Sequence, residues 1–344
     1  MFENRLSKRF RHLQKWAKRN GVFCFRLYDK DIPEIPLALD FYQVLPDTVH
    51  TAAEARAYAA KAQEVPKEQR YIKLYLYERP YQKAESEEEL WLFHMKQSAA
   101  AVLGVPDSQI FCTIRKRQRG SGQYVKHEET PLRVRVLEHE QLFTLNLTSY
   151  LDTGLFFDLR PLRRHIKETC AGSRVLNLFC YTGSFSVYAA AGGAALADSV
   201  DLSNTYLAWA KENLAANGFS DADRYRCIKS DALQFLRNAV REHKRWDIII
   251  LDPPTFSNSH SGAALLDINR QWSELAALCI SVLSAHGVLY FSTNSRRLVF
   301  DASLLSAAGN AEPLTIQDIT ERTIPEDFSG KHPHRCWRIS RTDK

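Results

Sequence analysis

Residues Val175–Gly193 read VLNLFCYTGSFSVYAAAGG. An apolar strand broken only by Asn177 runs into a turn at Gly183, and the small residues that follow suit a helix packed close to its neighbours. Outward from this stretch the chain keeps the same alternation. A helix over about 160–171 precedes it; "AALADSVD", a helix "NTYLAWAKENLAANG", "YRCIKSD", a helix "ALQFLRNAVREHK" and "WDIIILD" follow it, then a helix over about 267–285, the strand "GVLYFST" and terminal strands. Strands alternating with helices of about 10–15 residues predict βαβ crossovers and an open, doubly wound α/β sheet with both faces covered.

The first 150 residues are built differently. Leu6, Phe10, Leu13 and Ala17 share one face of a helix that Gly21 ends, with basic residues outside. Then come "VFCFRLYD" and "IPLALDFYQ" as strands, an alanine-rich helix over Thr51–Gln63, the strand "YIKLYLYE" and a helix over Glu85–Leu103. "IFCTIRKR", "LRVRVLEH" and "QLFTLNLTSY" complete an α+β domain over 1–150, leaving 151–344 for the alternating one.

A chain of 344 residues has room for two domains with their own cores. No run approaches the roughly 18–20 apolar residues that span a bilayer, so the expectation is a cytoplasmic protein with no membrane partner. Seven cysteines stand singly, in an odd number and without metal-type Cys/His spacing, which predicts reduced thiols and no metal. The net charge is +6, but the first twenty residues hold seven Lys/Arg against Glu3 alone. More basic residues cluster at Arg115–Arg119, at Arg160, Arg163, Arg164 and Lys167, and at Lys331, Arg335, Arg338 and Arg341. Such clusters suit a polyanion, since Lys and Arg contacts to phosphate supply most non-specific nucleic-acid affinity; a merely solvated basic face reads the same way.

Ligands in open α/β sheets bind beyond the carboxyl ends of the strands. The turn at Gly183 follows the first such end; "ADSVD" closes on Asp201, eighteen residues after Gly183, where a carboxylate can grip vicinal ribose hydroxyls; "CIKSD" closes on Asp231, beside an adenine edge. Either acid could instead cap the helix that follows, a reading that strand position and spacing weaken for Asp201. A nicotinamide site would need G-x-G-x-x-G against a pyrophosphate, whereas Gly183 stands alone among Phe179, Tyr181 and Phe185. An aromatic turn suits a phosphate-free cofactor made of adenosine and an amino-acid tail, a description that S-adenosylmethionine fits. On a fourth strand end, "IIIL" runs into Asp252, Pro253 and Pro254. The prolines fix an extended, donor-free edge able to position a planar ring, on which Phe256 can stack; a tight loop with Phe256 in the core is the plainer reading.

The order "YLDTGLFFDLRPLR", "LNLFCYTGSFS", "VDLS", "KSDAL", "LDPPTFSNS", "FSTNSRR" and "DFSGKHPHRCW", with "NRLSKRFRHLQKWAKRNG" at the start, resembles the S-adenosylmethionine-dependent large-subunit ribosomal RNA methyltransferases. It is most similar to the C-terminal half of the bifunctional guanine methyltransferases, which makes 7-methylguanosine in 23S rRNA. The resemblance implies a Rossmann-like class I methyltransferase domain at 151–344, an RNA-binding α+β domain at 1–150, and large-subunit rRNA as partner, as free RNA or an assembly precursor. It puts Tyr181, Thr182, Gly183 and Phe185 at the methionine moiety, with Asn177 and Phe179 beside them. Asp201 and Leu202 would lie at the ribose, Asp231 and Ala232 at the adenine, and Asp252 with Pro253 next to the methyl group. Asp158 and Arg160 would close the pocket from the linker side. Those bifunctional relatives carry a further N-terminal half, so RNA affinity is expected from 1–150 and the basic patches. Pro46–Gln69 is longer and richer in alanine than the resemblance implies.

A sibling family makes 5-methylcytidine, a reaction that needs a cysteine nucleophile beside the prolines or after the next strand. Here those places read "DPPTF" and "FSTNS". Guanine N7 offers an in-plane lone pair and loses no proton, so catalysis there is alignment by Asp252, Pro253, Pro254 and Phe256, with Thr255 and Asn294 on the base edge. Cys279 is expected in the core and Cys180 as a shaper of the turn. An rRNA cytosine-C5 methyltransferase, a non-catalytic RNA-binding or assembly factor and an NAD-dependent oxidoreductase are the rival readings.

Overall fold

The computed structural model describes residues 1–61, 66–79, 81, 84–115, 130–257, 266–307 and 313–342. The chain forms two compact units, Met1–Phe157 and Asp158–Lys344.

The first unit contains α1 (Phe2–Asn20), β1 (Cys24–Asp29), β2 (Leu37–Gln43), α2 (Ala52–Lys61), β3 (Arg70–Tyr77), α3 (Glu85–Leu103), β4 (Ile110–Arg115), β5 (Arg133–Glu138) and β6 (Gln141–Asn146). β1, β2 and β3 are antiparallel neighbours, α3 carries the chain across to a parallel β4, and β5 and β6 form a separate antiparallel pair. α1 buries Phe2, Leu6, Leu13 and Ala17 among aromatic and aliphatic residues of β1, β2 and β3. Its opposite face leaves Lys8, Arg11, His12, Lys15, Lys18 and Arg19 exposed. Leu6, Leu13 and Ala17 recur at helical spacing, which is why apolar burial rather than intrinsic propensity fixes this helix.

The second unit runs α4 (Arg160–Thr169), β7 (Arg174–Leu178), α5 (Ser184–Ala191), β8 (Leu196–Asp201), α6 (Asn204–Ala216), β9 (Tyr225–Lys229), α7 (Ala232–Arg241), β10 (Trp246–Leu251), β11 (Phe256–Ser257), β12 (Leu266–Asp267), α8 (Ile268–Ser281), β13 (Leu283–Thr293), α9 (Ser303–Ala307), β14 (Leu314–Asp318), α10 (Thr320–Thr323) and β15 (Arg335–Arg341). Its seven-stranded sheet has the order β14-β15-β13-β10-β7-β8-β9. The five strands from β13 to β9 are parallel, and β15 runs antiparallel between β13 and β14. Apolar clusters cover both faces: Leu176, Leu251, Trp246 and Leu289 with α7 and α8 on one, Val175, Ile250 and Ile166 with α4 and α5 on the other. This is the open, doubly wound α/β sheet that the alternation implied, in the Rossmann-like form that the resemblance implied.

From β7 the chain winds outward through β8 to β9, then returns to the other side of β7 with β10 and β13. Order reverses between β7 and β10, so the loops leaving their carboxyl ends part there and open a crevice. Two details differ from the sequence reading. α8 stops at Ser281, and the chain is already extended from Leu283, where it pairs with Trp246 before the register shifts. The basic residues 116–119 and the loop "QRGSGQ" lie outside the described residues.

Candidate active site

The turn between β7 and α5 carries three left-handed backbone positions within five residues: Phe179 at φ 55°, Tyr181 at φ 51° and Gly183 at φ 77°. That conformation costs a side-chain-bearing residue of order 1–2 kcal/mol, so the surroundings must hold it. The Tyr181 N–H donates to Asp201 Oδ2 at 3.0 Å, the Cys180 N–H to the Val200 carbonyl at 3.0 Å, and Asn213 Nδ2 to the Thr182 carbonyl at 2.9 Å. Only glycine fits at 183, because a Cβ there would sit 2.8 Å from the Ala210 Cβ on α6. The helix and the turn are thereby clamped together.

Asp201 ends β8. Besides the Tyr181 amide, it accepts the Ser203 N–H at 2.9 Å through Oδ1, so both oxygens are oriented by backbone. A carboxylate has about four acceptor positions, which leaves capacity toward the crevice. Burial raises its affinity for a proton, and the amides of Ser203 and Tyr181 offset part of that. Beside it the Tyr181 ring meets Tyr206 edge-on at 4.6 Å and Trp209 at 6.4 Å, both from α6. Leu202 is 43% exposed at the same rim. Asp231 is exposed and accepts the Gln234 N–H at 3.0 Å, so it caps α7.

Asp252 directly follows β10. Its Oδ1 accepts the Ser292 hydroxyl from β13 at 2.5 Å. Burial pushes its carboxyl up to about 6; the Ser292 bond, His334 and Arg163 pull it down, and the charge of Asp158 adds to the rise. Pro253 is buried and Pro254 half-buried beyond it. Thr255 Oγ1 donates to Asn294 Oδ1 at 2.6 Å, joining the loop after β10 to the loop after β13. These two residues, expected on the base edge, are thus one element. The backbone of Phe256 pairs with Asp267, while its side chain lies outside the described residues.

Several residues expected at the cofactor are buried. Asn177 is 3% exposed and donates to Ser186 Oγ at 3.0 Å; Thr182, Phe185 and Ala232 are buried as well. Arg160, expected to close the cofactor pocket, is 1% exposed, and its Nη1 donates to the buried Asp327 carboxylate at 3.0 Å. Arg163 is equally buried, against the rings of Phe185 and Tyr188. Neither can form a phosphate patch. Two of the C-terminal arginines are also structural: Arg341 donates to the carbonyls of Ile280, Leu283 and Ser284, and Arg335 reaches the Ser295 and Leu298 carbonyls over Trp337.

Asp158 faces the C-terminal segment. Its Oδ2 meets His334 Nδ1 at 3.0 Å, and His334 Nε2 meets Thr323 Oγ1 at 2.8 Å. Burial alone would raise the Asp158 carboxyl, but the His334 hydrogen bond and charge and the Arg163 charge outweigh it and hold the group below the ordinary carboxylate range. Ser292, Tyr206, Trp209, His334 and Thr323 do not stand out as site residues in the sequence. The only signal for His334 there is the motif "DFSGKHPHRCW", a few residues beyond Thr323.

A strained turn, a backbone-pinned acid on the next strand and a proline-framed acid on the adjoining one thus meet at the switch point, where open α/β sheets bind their ligands. The model of the S-adenosylmethionine-dependent methyltransferases matches residues 95–333, and the chain belongs to that family. It is 42% identical to ribosomal RNA large subunit methyltransferase K of Neisseria meningitidis, over 98% of this chain and 86% of that one. It is 40% identical to ribosomal RNA large subunit methyltransferase K/L of Magnetococcus marinus and 41% to that of Methylococcus capsulatus, spanning 43% of each. The likeness of its motifs to the large-subunit rRNA methyltransferases is thereby shown. Among solved structures, an S-adenosylmethionine-dependent methyltransferase of Streptococcus mutans aligns over 99% of this chain and 81% of its own at TM-score 0.68 and 20% identity, a likeness of fold.

S-adenosylmethionine is the cofactor, and the residues present fit it. The Asp201 carboxylate retains acceptor capacity for a diol, and the turn carries no anion-demanding triple glycine. No helix of the described residues is long and apolar enough to cross a membrane, and no group of three or more His, Cys, Asp or Glu among them suits a metal.

Proposed function

We propose that the chain methylates guanine N7 in large-subunit ribosomal RNA, with the second unit as transferase and the first as RNA-binding unit. One observation carries the choice of atom: the cysteines around the crevice are kept as thiols. Cys180 in the turn and Cys336 on β15 are buried, and burial, followed by the charges of Asp201 and Asp252 respectively, pushes both thiols well up. Burial does the same to Cys279 inside α8. A C5 methyltransferase needs a thiolate to form its adduct. Guanine N7 brings its own lone pair and releases no proton, so the site needs neither nucleophile nor base.

S-adenosylmethionine supplies an electrophilic methyl on a sulfonium. Asp201 orients the ribose and the Tyr181 turn the amino-acid end. Asp252, ionised and held by Ser292, accepts from an amine of the base, while Pro253 and Pro254 present a donor-free edge. Asn294, its oxygen taken by Thr255, offers its NH₂ to a base carbonyl. Such alignment contributes of order 7–11 kcal/mol at best, without acid–base chemistry.

The exposed basic stripe of α1 supports RNA binding by the first unit, because the other basic clusters in described residues are largely consumed internally. The relatives named for large-subunit rRNA support the substrate class. The test is transfer of radiolabelled methyl to undermethylated large-subunit rRNA, small-subunit rRNA and tRNA. Labelling of large-subunit rRNA alone, abolished by Asp252→Ala with RNA binding intact, is expected. Equal labelling of all three RNAs, or full activity of Asp252→Ala, would contradict the reading.

A further inference from the structure

We propose that Arg296, Arg297 and Arg270 form a phosphate clamp at the rim of the acceptor site, gripping the RNA strand on either side of the guanine; this rests on the RNA substrate proposed above. In the turn that follows β13, Ser295 and Leu298 are 5% and 2% exposed, whereas Asn294, Arg296 and Arg297 stand in solvent. Arg335, stacked over Trp337 at 5.1 Å, donates through Nη2 to the carbonyls of both Ser295, at 3.3 Å, and Leu298. One guanidinium thus ties the two ends of the turn together. The Ser295 N–H donates to Thr293 Oγ1 at 3.1 Å, and its hydroxyl donates to Asn269 Oδ1 on α8 at 2.6 Å while accepting the Arg297 N–H at 3.3 Å. With the Thr255–Asn294 hydrogen bond in front of it, the turn is fixed to β15, to α8 and to the loop after β10. What these bonds hold out to solvent is a pair of arginines.

Arg270 joins them from α8. It follows Asn269, the residue that Ser295 binds, and is exposed in the first turn of the helix. A cation there opposes the helix dipole, whose positive end favours an anion. None of the three arginines has an ion pair among the described residues, whereas Arg164, Arg237 and Lys244, also exposed, each lie against a glutamate. Guanidinium groups carried on an anchored turn and a helix end lose little freedom on taking a phosphate, and their planar forks match its oxygens. Their place gives the class of ligand. The turn and the start of α8 lie at the carboxyl ends of β13 and β10, beside Asp252 and the Thr255–Asn294 pair. A guanine splayed into that site brings its flanking phosphates to the rim, where contacts to the base edge select the ring and the arginines hold the backbone.

The experiment follows methyl transfer by the full chain to undermethylated large-subunit rRNA, at saturating S-adenosylmethionine and from about 50 to about 200 mM salt. The double variant Arg296→Gln, Arg297→Gln is expected to raise KM for the RNA about 10- to 100-fold, with a smaller change in kcat. The slope of log(kcat/KM) against log[salt] should become shallower by about 1.4, at about 0.7 for each phosphate contact on a single strand, and by about 0.7 in Arg270→Gln. Arg296→Lys with Arg297→Lys keeps the charge, so it should restore the slope while recovering only part of KM. A wild-type KM and slope in the double glutamine variant overturn the proposal. So does a raised KM with a wild-type slope, or a slope that lysine fails to restore, since the arginines would then act through the shape of the turn and not through charge. A wild-type chain that labels no large-subunit rRNA, or labels every RNA equally, refutes the proposed function instead. Filter binding of the same RNA over the same salt range then decides the clamp, by the same change of slope.

Discussion

Replacing Asp252 by Asn should destroy activity and at the same time stabilise the protein, in a way that depends on pH. The carboxyl has an unfolded value of about 3.9 and is pushed up to about 6 in the fold, chiefly by burial. Since the folded state binds the proton more tightly, stability is greatest below about pH 4 and is lost as pH rises through 6, the penalty for burying the ionised group then being complete. At about 1.4 kcal/mol for each tenfold change in proton affinity, the rise from about 3.9 to about 6 corresponds to about 3 kcal/mol. Asp252 keeps some surface in water, so about 1.5–2 kcal/mol of this is expected to be realised. Asn keeps the shape and can still accept from Ser292, but carries no charge. Its Tm should therefore match wild type near pH 4 and exceed it at pH 8 by about 3–8 °C, at about 2–4 °C per kcal/mol. Scanning calorimetry of the cofactor-free chain across this range measures it. A variant equal to or less stable than wild type at pH 8, or equally stabilised at pH 4, would show that the fold does not hold this carboxylate against its own preference and would refute the reasoning.

Gly183→Ala forces a Cβ to 2.8 Å from Ala210 at φ 77°, and should cost about 1–3 kcal/mol in chemical denaturation with severe loss of S-adenosylmethionine binding. Asp201→Asn exchanges one oxygen of a carboxylate pinned by two amides for an NH₂ group; calorimetric titration should show about 10- to 100-fold weaker cofactor binding. Asp327→Ala leaves Arg160 buried without its carboxylate, and should destabilise by about 3–5 kcal/mol, whereas replacing both partners by apolar residues should recover most of it.

What the sequence shows and what it hides divide along one physical line. Strand ends at Gly183, Asp201 and Asp252 are legible because each is local: apolar residues run out and a turn residue follows within a few positions. Phe179 and Tyr181 with left-handed backbone are not, since nothing in an aromatic side chain announces positive φ; the hydrogen bond from Tyr181 to Asp201, 20 residues on, imposes it. The charged network under Asp252 is equally silent. Asp158 and His334 stand 176 positions apart and Arg160 and Asp327 167 apart, so each looks like an ordinary surface residue until the fold closes. The helical basic run at Arg160–Lys167 reads as part of a polyanion patch for that reason: α4 turns Arg160 and Arg163 into the protein, and charge counting along the chain cannot see direction. The insertion of β15 between β13 and β14 leaves no local mark either, because the strand's apolar content suits several places in the sheet.

The most direct measurement is mass spectrometry of nucleosides from undermethylated large-subunit rRNA incubated with the chain and isotopically labelled S-adenosylmethionine. Label in 7-methylguanosine alone is the result expected from a site that aligns a lone pair and keeps its cysteines as thiols. Label in 5-methylcytidine would contradict it, since one of those buried thiols would then have to be the nucleophile.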